Sequence, residues 1–245
     1  MAAREILAAR AAGAPIDSST VAVSDQQAYD VQSLVTSARL TSGERVVGWK
    51  LGYTSAAMRE ALGIQQPNAG PLTDAMVFTS PARLADRLQP RAEPEIAVVL
   101  DAEGAIAELI PALEIVDSVW RDYRFDWAHN TADGSSAAAA VLAAMPVYRG
   151  WLDDATVVLS NSSGEEARGR VIDQLPDLDV VVAWLGNLLR ERGEVLAEAS
   201  VVLTGGLLAP IDLPAGGWAR ARFAHPSRSF EDVVVEAHRP ERNAS

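Results

Sequence analysis

The segments RAEPEIAVVL (residues 91–100) and IPALEIV (residues 110–116) are apolar runs that carry three carboxylates among aliphatic side chains. Glu93 and Glu95 lie two positions apart, so in a β-strand their side chains project from one face, about 7 Å apart. Glu114 lies inside the second run. Charged side chains are rarely buried unless they are paired or bind a metal. Such a cluster is therefore costly unless a cation lies between its members.

Two interpretations of these carboxylates are open from the spacing alone. In the first, three oxygen ligands hold Mg²⁺ or Mn²⁺, which they suit better than zinc. In the second, Glu93 and Glu95 are solvated residues of an edge strand, and Glu114 caps an element or pairs with an arginine. Pro94 cannot donate a backbone hydrogen bond, which favours a strand start, an edge or a bulge at this position.

The composition is that of an ordinary globular protein, because 49% of the 245 residues are hydrophobic and 22% are charged. The net charge of −12 argues against a nucleic acid or an anionic membrane as partner. There is no cysteine, which excludes disulfides, thiolate catalysis and cysteine-bound zinc. No apolar run approaches the roughly 18 residues of a membrane span, and MAAREILAARAAG lacks the apolar core of a secretory signal. We therefore expect a cytoplasmic protein.

Apolar periodicity and turn residues predict the order of the elements. Helices are expected at residues 4–13, 25–41, 55–62, 137–144 and 178–192. Strands are expected at 45–51, twice within 96–116, at 147–160, 168–171 and 201–206, and in a closing hairpin that ends near 237. Residues 238–245 are expected to be frayed. No linker divides the chain, so we expect one domain over 1–245, with a helical part at 1–44 and a β-rich catalytic core at 45–237.

Three further segments carry polar or aromatic groups that suit a site. Lys50 lies between Gly48 and Gly52 at a strand end, where the backbone can approach a ligand, although ordinary turns share this feature. TADGSS (131–136) precedes the predicted alanine-rich helix and is either a cap or an anion site at its N-terminus. The aromatic segment 117–127 fits a pocket mouth or a subunit interface.

Six motifs, in order, resemble the hydratase/decarboxylase family of the fumarylacetoacetate-hydrolase-like superfamily. They are GWKLGYTS (48–55), LGIQQPNAGPLTDAM (62–76), EPE (93–95), PALEIVDS (111–118), TADGSS (131–136) and VVLTGG (201–206). This family includes 2-keto-4-pentenoate (2-hydroxypentadienoate) hydratases and 4-oxalocrotonate decarboxylases, which act in the catabolism of aromatic compounds. The resemblance covers nearly the whole chain.

The resemblance implies a role for eight residues. Glu93, Glu95 and Glu114 would hold Mg²⁺ or Mn²⁺. Lys50 and Asp74 would line the pocket as catalytic, proton-handling groups. The substrate would contact Ser136, Thr54 and Leu72. The implied fold is a mixed α/β (α+β) fold with a curled, barrel-like β core flanked by helices, assembled as a homo-oligomer.

The sequence also departs from the family pattern. The family places more residues, including a helix, between its second and third glutamates than lie between Glu95 and Glu114. A deleted helix would open one wall of the pocket or alter the packing of subunits. Gly134 replaces the asparagine of the family's TADN motif, and Pro94 is atypical within the paired glutamates.

The expected function is that of a metal-dependent lyase that hydrates a small 2-hydroxydienoate. The alternative is decarboxylation of a 2-oxo-dioate such as 4-oxalocrotonate, which the Leu72–Asp74 spacing and TGGLLAP (204–210) favour. A third interpretation is a non-catalytic partner subunit in a complex with such a lyase. The intact Glu93, Glu95, Glu114 and Lys50 argue against that role.

Overall fold

The computed structural model describes residues 1–85, 87–229 and 231–238, with the backbone alone considered at 228 and 229. The helices are α1 (Ala2–Ala12), α2 (Ala28–Thr41), α3 (Ala56–Leu62), α4 (Trp127–Ala132), α5 (Val171–Gln174) and α6 (Leu178–Glu191). The strands are β1 (Val46–Gly52), β2 (Asn68–Thr73), β3 (Val77–Thr79), β4 (Ala82–Leu84), β5 (Arg91–Leu100), β6 (Ile106–Val116), β7 (Ala137–Leu142), β8 (Thr156–Asn161), β9 (Glu166–Arg170), β10 (Val201–Leu203), β11 (Ile211–Asp212), β12 (Trp218–His225), β13 (Arg228–Ser229) and β14 (Val233–Ala237). Of residues 238–245, which are predicted to be frayed, 239–245 lie outside the described part of the chain. His238 donates its backbone N–H to the carbonyl of Leu84 at 2.8 Å.

The strands form two mixed sheets. The larger sheet has the order β2-β1-β10-β5-β6-β7-β3, and β11 also pairs with β5. The smaller sheet has the order β4-β14-β12-β8-β9, and β13 pairs with β12. Parallel pairs (β1 with β10, β3 with β7, β14 with β4) occur beside antiparallel ones. The predicted mixed α/β fold is confirmed, and among the described residues the larger sheet ends at β2 and β3 without closing into a barrel.

The central hairpin of the larger sheet is formed by β5 and β6. The two strands pair antiparallel with Glu93 opposite Glu114. Asp101 closes the turn between them, because its Oδ1 accepts the backbone N–H groups of Glu103 at 3.0 Å and Ala105 at 2.8 Å. The predicted pair of strands with a tight connection is confirmed.

The main hydrophobic core lies where the two sheets and α6 pack together, and Trp151, Phe223, Ile96 and Leu113 are among its fully buried side chains. The helix α6 begins at Asp177, whose carboxylate accepts the N–H groups of residues 179 and 180. Such a cap satisfies backbone donors that the first turn cannot pair. The apolar face of α6 is buried along its length, as the predicted amphipathic helix requires.

The alanine-rich segment 137–144 is not a helix, and this prediction was wrong. Ala137–Leu142 forms strand β7, which pairs with β6 on one side and β3 on the other. Alanine favours helices, but that preference is weak and tertiary pairing overrides it. Because the strand is buried on both faces, its small side chains fit the space available. The predicted anion site at a helix N-terminus disappears with the helix.

The helices α1 and α2 precede the first strand. The division into a helical part at 1–44 and a catalytic core at 45–237 stays a prediction. α1 ends at Gly13, which adopts a left-handed conformation with φ 63°. Ile6 of α1 packs in a separate small core with Val119 and Trp120. No helix in the described ranges is long and apolar enough to cross a membrane.

Candidate active site

The three predicted carboxylates meet on one face of the central hairpin. Glu93 and Glu114 are direct cross-strand partners, and Glu95 follows two residues later on the same face. One carboxylate oxygen from each residue lies within 4.8 Å of the others. Glu95 and Glu114 are fully buried, whereas Glu93 is partly exposed. Because β5 lies between β6 and the strands β10 and β11, it is not an edge strand, and the solvated alternative does not hold.

Several oxygens of this cluster lack a protein donor. Glu95 Oε2 accepts the backbone N–H of Gly205 at 2.9 Å. Among the described residues, Glu95 Oε1 and Glu114 Oε1 have no hydrogen-bond partner. A buried carboxylate oxygen without a donor is unfavourable by several kcal/mol unless a cation approaches it. The donor set is made of oxygen alone and is charged, which fits a hard divalent cation such as Mg²⁺.

Lys50 provides the cationic side chain of the site. Its Nζ lies 3.3 Å from Glu114 Oε2, so Glu114 pairs with a lysine rather than an arginine. In a flat sheet β1 and β6 would be about 14 Å apart, since strands are spaced by about 4.8 Å. The long side chains of Lys50 and Glu114 nevertheless meet across the intervening strands β10 and β5. Lys50 is also the only lysine of the chain, in which every other basic residue except histidine is arginine.

The charges of the cluster shift the pKa values of its members. Burial opposes the positive charge of Lys50, but the carboxylates of Glu114, Glu93 and Glu95 outweigh it and raise the pKa of its ammonium. Burial, then repulsion from Glu114, raises the pKa of Glu93 to about 7. The same two causes raise the pKa of Glu95 well above its ordinary value. One ammonium group does not balance three carboxylates, so the site favours an additional cation.

Pro94 lies inside β5 rather than at its start. Its carbonyl accepts the N–H of Leu207, which follows the end of β10, and β11 begins at Ile211. On this side β5 pairs first with β10 and then with β11, and Pro94 lies opposite the gap between these two strands. The missing N–H of proline therefore removes no hydrogen bond between strands. The proline therefore marks a gap in strand pairing beside the carboxylates.

A cavity of about 480 Å³ opens beside the carboxylate cluster. Its wall includes Lys50, Glu93, Thr54 and Ser136, so the structure brings two of the three predicted substrate-contacting residues to the cavity. Ser136 has a φ of 57°, a left-handed conformation that is uncommon outside glycine. Such backbone conformations require support from surrounding contacts.

That support is a buried hydrogen-bond network beneath the cavity. Asn68 donates to Asn130 Oδ1 and to Thr131 Oγ1, each at 2.9 Å. Ser135 Oγ donates to Asn68 Oδ1 at 2.8 Å, and Asn130 Nδ2 donates to Ser136 Oγ at 3.0 Å. The Ser136 oxygen accepts this bond, and among the described residues its own O–H has no protein acceptor, so it can donate to a ligand in the cavity.

The turn of TADGSS is held by structural groups rather than by an anion. Asp133 is buried, pairs with Arg10 of α1 and accepts the N–H of Val119 at 2.8 Å. Gly134 has a φ of 70°, a conformation that asparagine also tolerates. A Cβ atom at Gly134 would face open space, and Gly134 does not line the cavity. In this chain the glycine therefore removes no contact from the cavity wall.

Asp74 and Leu72 do not reach the cavity, in contrast to the prediction for both. β2 runs antiparallel to β1, which pairs Lys50 with Gly70 and Val46 with Thr73. Asp74 therefore lies near the opposite end of β1, about 16 Å from Lys50 at 3.3 Å per residue. There its carboxylate binds Arg45 at 3.2 Å. Leu72 is fully buried in a small apolar cluster with Met76 and Ala97.

The short connection between Glu95 and Glu114 lies far from the site. The turn at 101–105 is at least six residues from Glu95 along an extended strand, which is about 20 Å. It lines a different surface pocket, together with residues of α6. The predicted opening of the active-site wall is therefore not found.

Sequence reasoning missed several residues of the cavity wall. Tyr53, Asn130 and Ser135 line it, and so do Tyr123 and Phe125 of the aromatic segment. That segment was predicted at a pocket mouth or an interface, and the first alternative holds for these two. The sequence held no motif that singles out Tyr53, Asn130 or Ser135 as lining residues, because the segments that bring them to the cavity are set by tertiary structure.

Gly206 lets its loop pass close to Glu93, because a Cβ atom there would lie 2.7 Å from Glu93 Oε2. We predict that Gly206→Ala keeps the fold but displaces this flexible carboxylate. The affinity for Mg²⁺, measured by calorimetry, should fall by about tenfold. This is the smaller of the effects seen when a group that positions a metal ligand is changed. Gly186→Ala is the matched control, since nothing lies within 4 Å of a Cβ at that helical position. Equal affinities in both variants would contradict the placement of Glu93.

Comparisons with known proteins were made with both the sequence and the structure. No protein-family model matches the chain. The chain is 34% identical over 206 residues to 2-keto-4-pentenoate hydratase from Burkholderia vietnamiensis, covering 78% of this chain and 79% of that protein. It is also 34% identical to 2-hydroxypent-2,4-dienoate hydratase from Pseudomonas putida over 203 residues, 73% of this chain and 88% of that protein. Among solved structures, the chain is similar to 4-oxalocrotonate decarboxylase from Pseudomonas putida G7, complexed with magnesium and adipate, with a TM-score of 0.83. The two chains are 25% identical, and the match covers 96% of this chain and 95% of the decarboxylase.

Proposed function

The chain belongs to the hydratase/decarboxylase family of the fumarylacetoacetate-hydrolase-like superfamily, and from this premise we propose that it hydrates 2-hydroxypenta-2,4-dienoate. The observation that carries the proposal is the buried cluster of Glu93, Glu95, Glu114 and Lys50 at a cavity, in a chain similar to hydratases over three quarters of its length. The reaction adds one water, with oxygen at C4, and gives 4-hydroxy-2-oxopentanoate.

We propose that Glu93, Glu95 and Glu114 hold a divalent cation. Their unsatisfied oxygens and excess negative charge support this assignment. Mg²⁺ is the first choice, because a related decarboxylase structure contains magnesium, and Mn²⁺ has the same preference for oxygen. When bound, such a cation supplies Lewis acidity that stabilises negative charge on the 2-oxygen of the substrate.

Lys50 supplies positive charge and a proton in this proposal. The carboxylates around it raise the pKa of Lys50 and favour its charged form, which can neutralise a substrate carboxylate or donate a proton. The free O–H of Ser136 is positioned to donate to a substrate oxygen. Thr54 lines the same cavity, where its hydroxyl lies against Gly205.

Decarboxylation of a 2-oxo-dioate is the second candidate, favoured by the 0.83 TM-score to 4-oxalocrotonate decarboxylase. A dioate would bring a second carboxylate into the cavity. Among the described residues that line it, Lys50 is the only cationic side chain. The second carboxylate would therefore lack a counter-charge, which favours the monoanionic dienoate.

An assay with two substrates tests the choice. With Mg²⁺ present, we expect 2-hydroxypenta-2,4-dienoate to be consumed with formation of 4-hydroxy-2-oxopentanoate. We expect 2-oxohex-3-enedioate to release no CO₂ at a comparable rate. Stoichiometric CO₂ from the dioate, with no hydration of the dienoate, would establish the decarboxylase instead. Turnover of neither substrate, with Mg²⁺ bound, would favour a non-catalytic subunit.

Assembly is also part of the proposal. We expect a homo-oligomer, as the resemblance to the family implies, with a partner lyase as a further candidate subunit. Exposed apolar side chains support an association surface, among them Leu34 of α2 and Leu62 of α3.

A further inference from the structure

Tyr123 separates the active-site cavity from a second cavity of about 480 Å³, and we propose that its ring limits the length of the substrate. Among the described residues, Tyr123 is the one that lines both cavities. The inference rests on the proposed function, since it concerns the substrate of the same site. It assigns to Tyr123 the role of a specificity-determining residue.

The position of Tyr123 places its ring beside the carboxylate cluster. Its hydroxyl lies 3.1 Å from the carbonyl of Val116, which is two residues after Glu114. A ligand anchored at the carboxylates and extended in this direction would meet the ring. The five-carbon chain of 2-hydroxypenta-2,4-dienoate is short enough to end before it reaches the ring of Tyr123. A longer chain would have to pass the ring.

The ring is held at its hydroxyl and over its face, and it does not act as a mobile gate. Its hydroxyl donates to the carbonyl of Gln89 at 2.8 Å. The guanidinium of Arg91 stacks over the ring, 4.3 Å from its centroid. Arg91 is itself held by Asp212 at 3.2 Å. The stacked cation and the partly buried hydroxyl bond make the ring a rigid wall.

The second cavity differs chemically from the first, because it contains arginines. Arg91 is paired with Asp212, but Arg87 makes its hydrogen bond to a carbonyl, that of Ala138, at 3.2 Å. Arg87 lines the second cavity, and among the described residues its buried Nε is one donor without a protein acceptor. A guanidinium with a spare donor suits a carboxylate. If the wall were removed, the joined space would therefore accept a 2-hydroxydienoate whose tail ends in a carboxylate.

Tyr123→Gly is the variant of choice, because Tyr123 has a φ of 57° and glycine adopts this conformation without strain. The substrates are 2-hydroxypenta-2,4-dienoate and 2-hydroxyhepta-2,4-dienedioate, which carries a second carboxylate at C7. We expect the wild type to prefer the shorter substrate by at least about 100-fold in kcat/KM, within the range of pocket discrimination. In Tyr123→Gly this preference should fall by at least about tenfold, mainly through a lower KM for the dioate.

Two further variants distinguish the steric effect of the Tyr123 ring from the effects of its hydroxyl group and of the charge on Arg87. Tyr123→Phe keeps the ring and should keep the preference for the shorter substrate. Adding Arg87→Met to Tyr123→Gly should remove the gain for the dioate but not the gain for 2-hydroxyhepta-2,4-dienoate, which has an uncharged tail. If Tyr123→Gly does not fold, Tyr123→Asn replaces it, because asparagine also tolerates the left-handed conformation. A folded variant with an unchanged preference overturns the proposal.

Binding to the wild type decides the inference even without turnover. With Mg²⁺ present, calorimetry compares 2-oxopentanoate with 2-oxoheptanoate, which carry the same single carboxylate, differ in chain length and cannot be hydrated. We expect the shorter acid to bind at least about tenfold more tightly, a difference of about 1.4 kcal/mol. Equal binding of both acids overturns the role of Tyr123. Failure of the dienoate assay with a clear difference in binding would overturn the proposed reaction and leave the wall intact.

Discussion

Glu95→Gln is expected to abolish tight Mg²⁺ binding and to reduce turnover by about 10²–10³-fold, as when a preorganised electrostatic group is removed. The fold should remain, because a glutamine oxygen can still accept the N–H of Gly205 that Glu95 now accepts at 2.9 Å. The change also removes repulsion from Glu114, which contributes to the raised pKa of Glu95. The metal-free variant should therefore be at least as stable as the wild type.

Calorimetry with Mg²⁺, steady-state kinetics and thermal unfolding measure these three effects. Glu108→Gln is the matched control: it removes the same charge from β6, six residues before Glu114, at an exposed position. We expect the control to bind Mg²⁺ and turn over like the wild type. If Glu95→Gln retained both metal content and turnover, the carboxylate cluster would not be a metal site.

Lys50→Met should lower kcat by about 10²–10⁴-fold, the range for loss of a positioned proton donor. At pH 8 the metal-free variant should also lose about 3–5 kcal/mol of stability, because a buried carboxylate is left without its partner. Mg²⁺ restores positive charge beside Glu114, so added Mg²⁺ should raise the melting temperature more in Lys50→Met than in the wild type. Lys50→Arg should recover more stability than turnover, since the guanidinium differs from the ammonium in shape.

The control for Lys50 lies at the other end of the same strand. Arg45 precedes β1 and pairs with Asp74 on the surface, where its side chain is 81% exposed. Arg45→Met should change stability by at most about 1 kcal/mol, as for other surface ion pairs. Asp74→Asn should leave kcat within about twofold, because a surface substitution away from the site is usually near neutral. A large loss of turnover in Asp74→Asn would contradict the separation of Asp74 from the cavity.

The carboxylate cluster was within reach of sequence reasoning because strand geometry is regular. The spacing of Glu93 and Glu95 places them on one face in any β-strand. Glu114 was harder, since only the register of β5 against β6 puts it opposite Glu93. The family motifs brought Lys50, Thr54 and Ser136 to the same site, and the structure places all three at the cavity.

The same motifs misplaced Asp74 and Leu72, because a motif records order along the chain and not the direction in which a strand leaves the site. β2 runs away from Lys50 as it pairs with β1, so each residue after Gly70 lies farther from the cavity. The alanine run 137–144 failed for a related reason. Its helix preference is a local property, whereas pairing with β6 and β3 is decided by the whole sheet.

The sequence by itself determined the class of fold, the amphipathic helix α6, the β5–β6 hairpin and the chemistry of three carboxylates with one lysine. The helix and the hairpin follow from periodicity and turn residues, which act over short stretches of chain. The class of fold and the place of Lys50 beside the carboxylates follow from the resemblance to the family motifs. Only the tertiary structure decided that Lys50 meets Glu114 across two intervening strands, at 3.3 Å. It also decided that Tyr123 stands between two cavities. Both depend on the order of the strands in the sheet and on loops that join distant segments, and no local pattern encodes either.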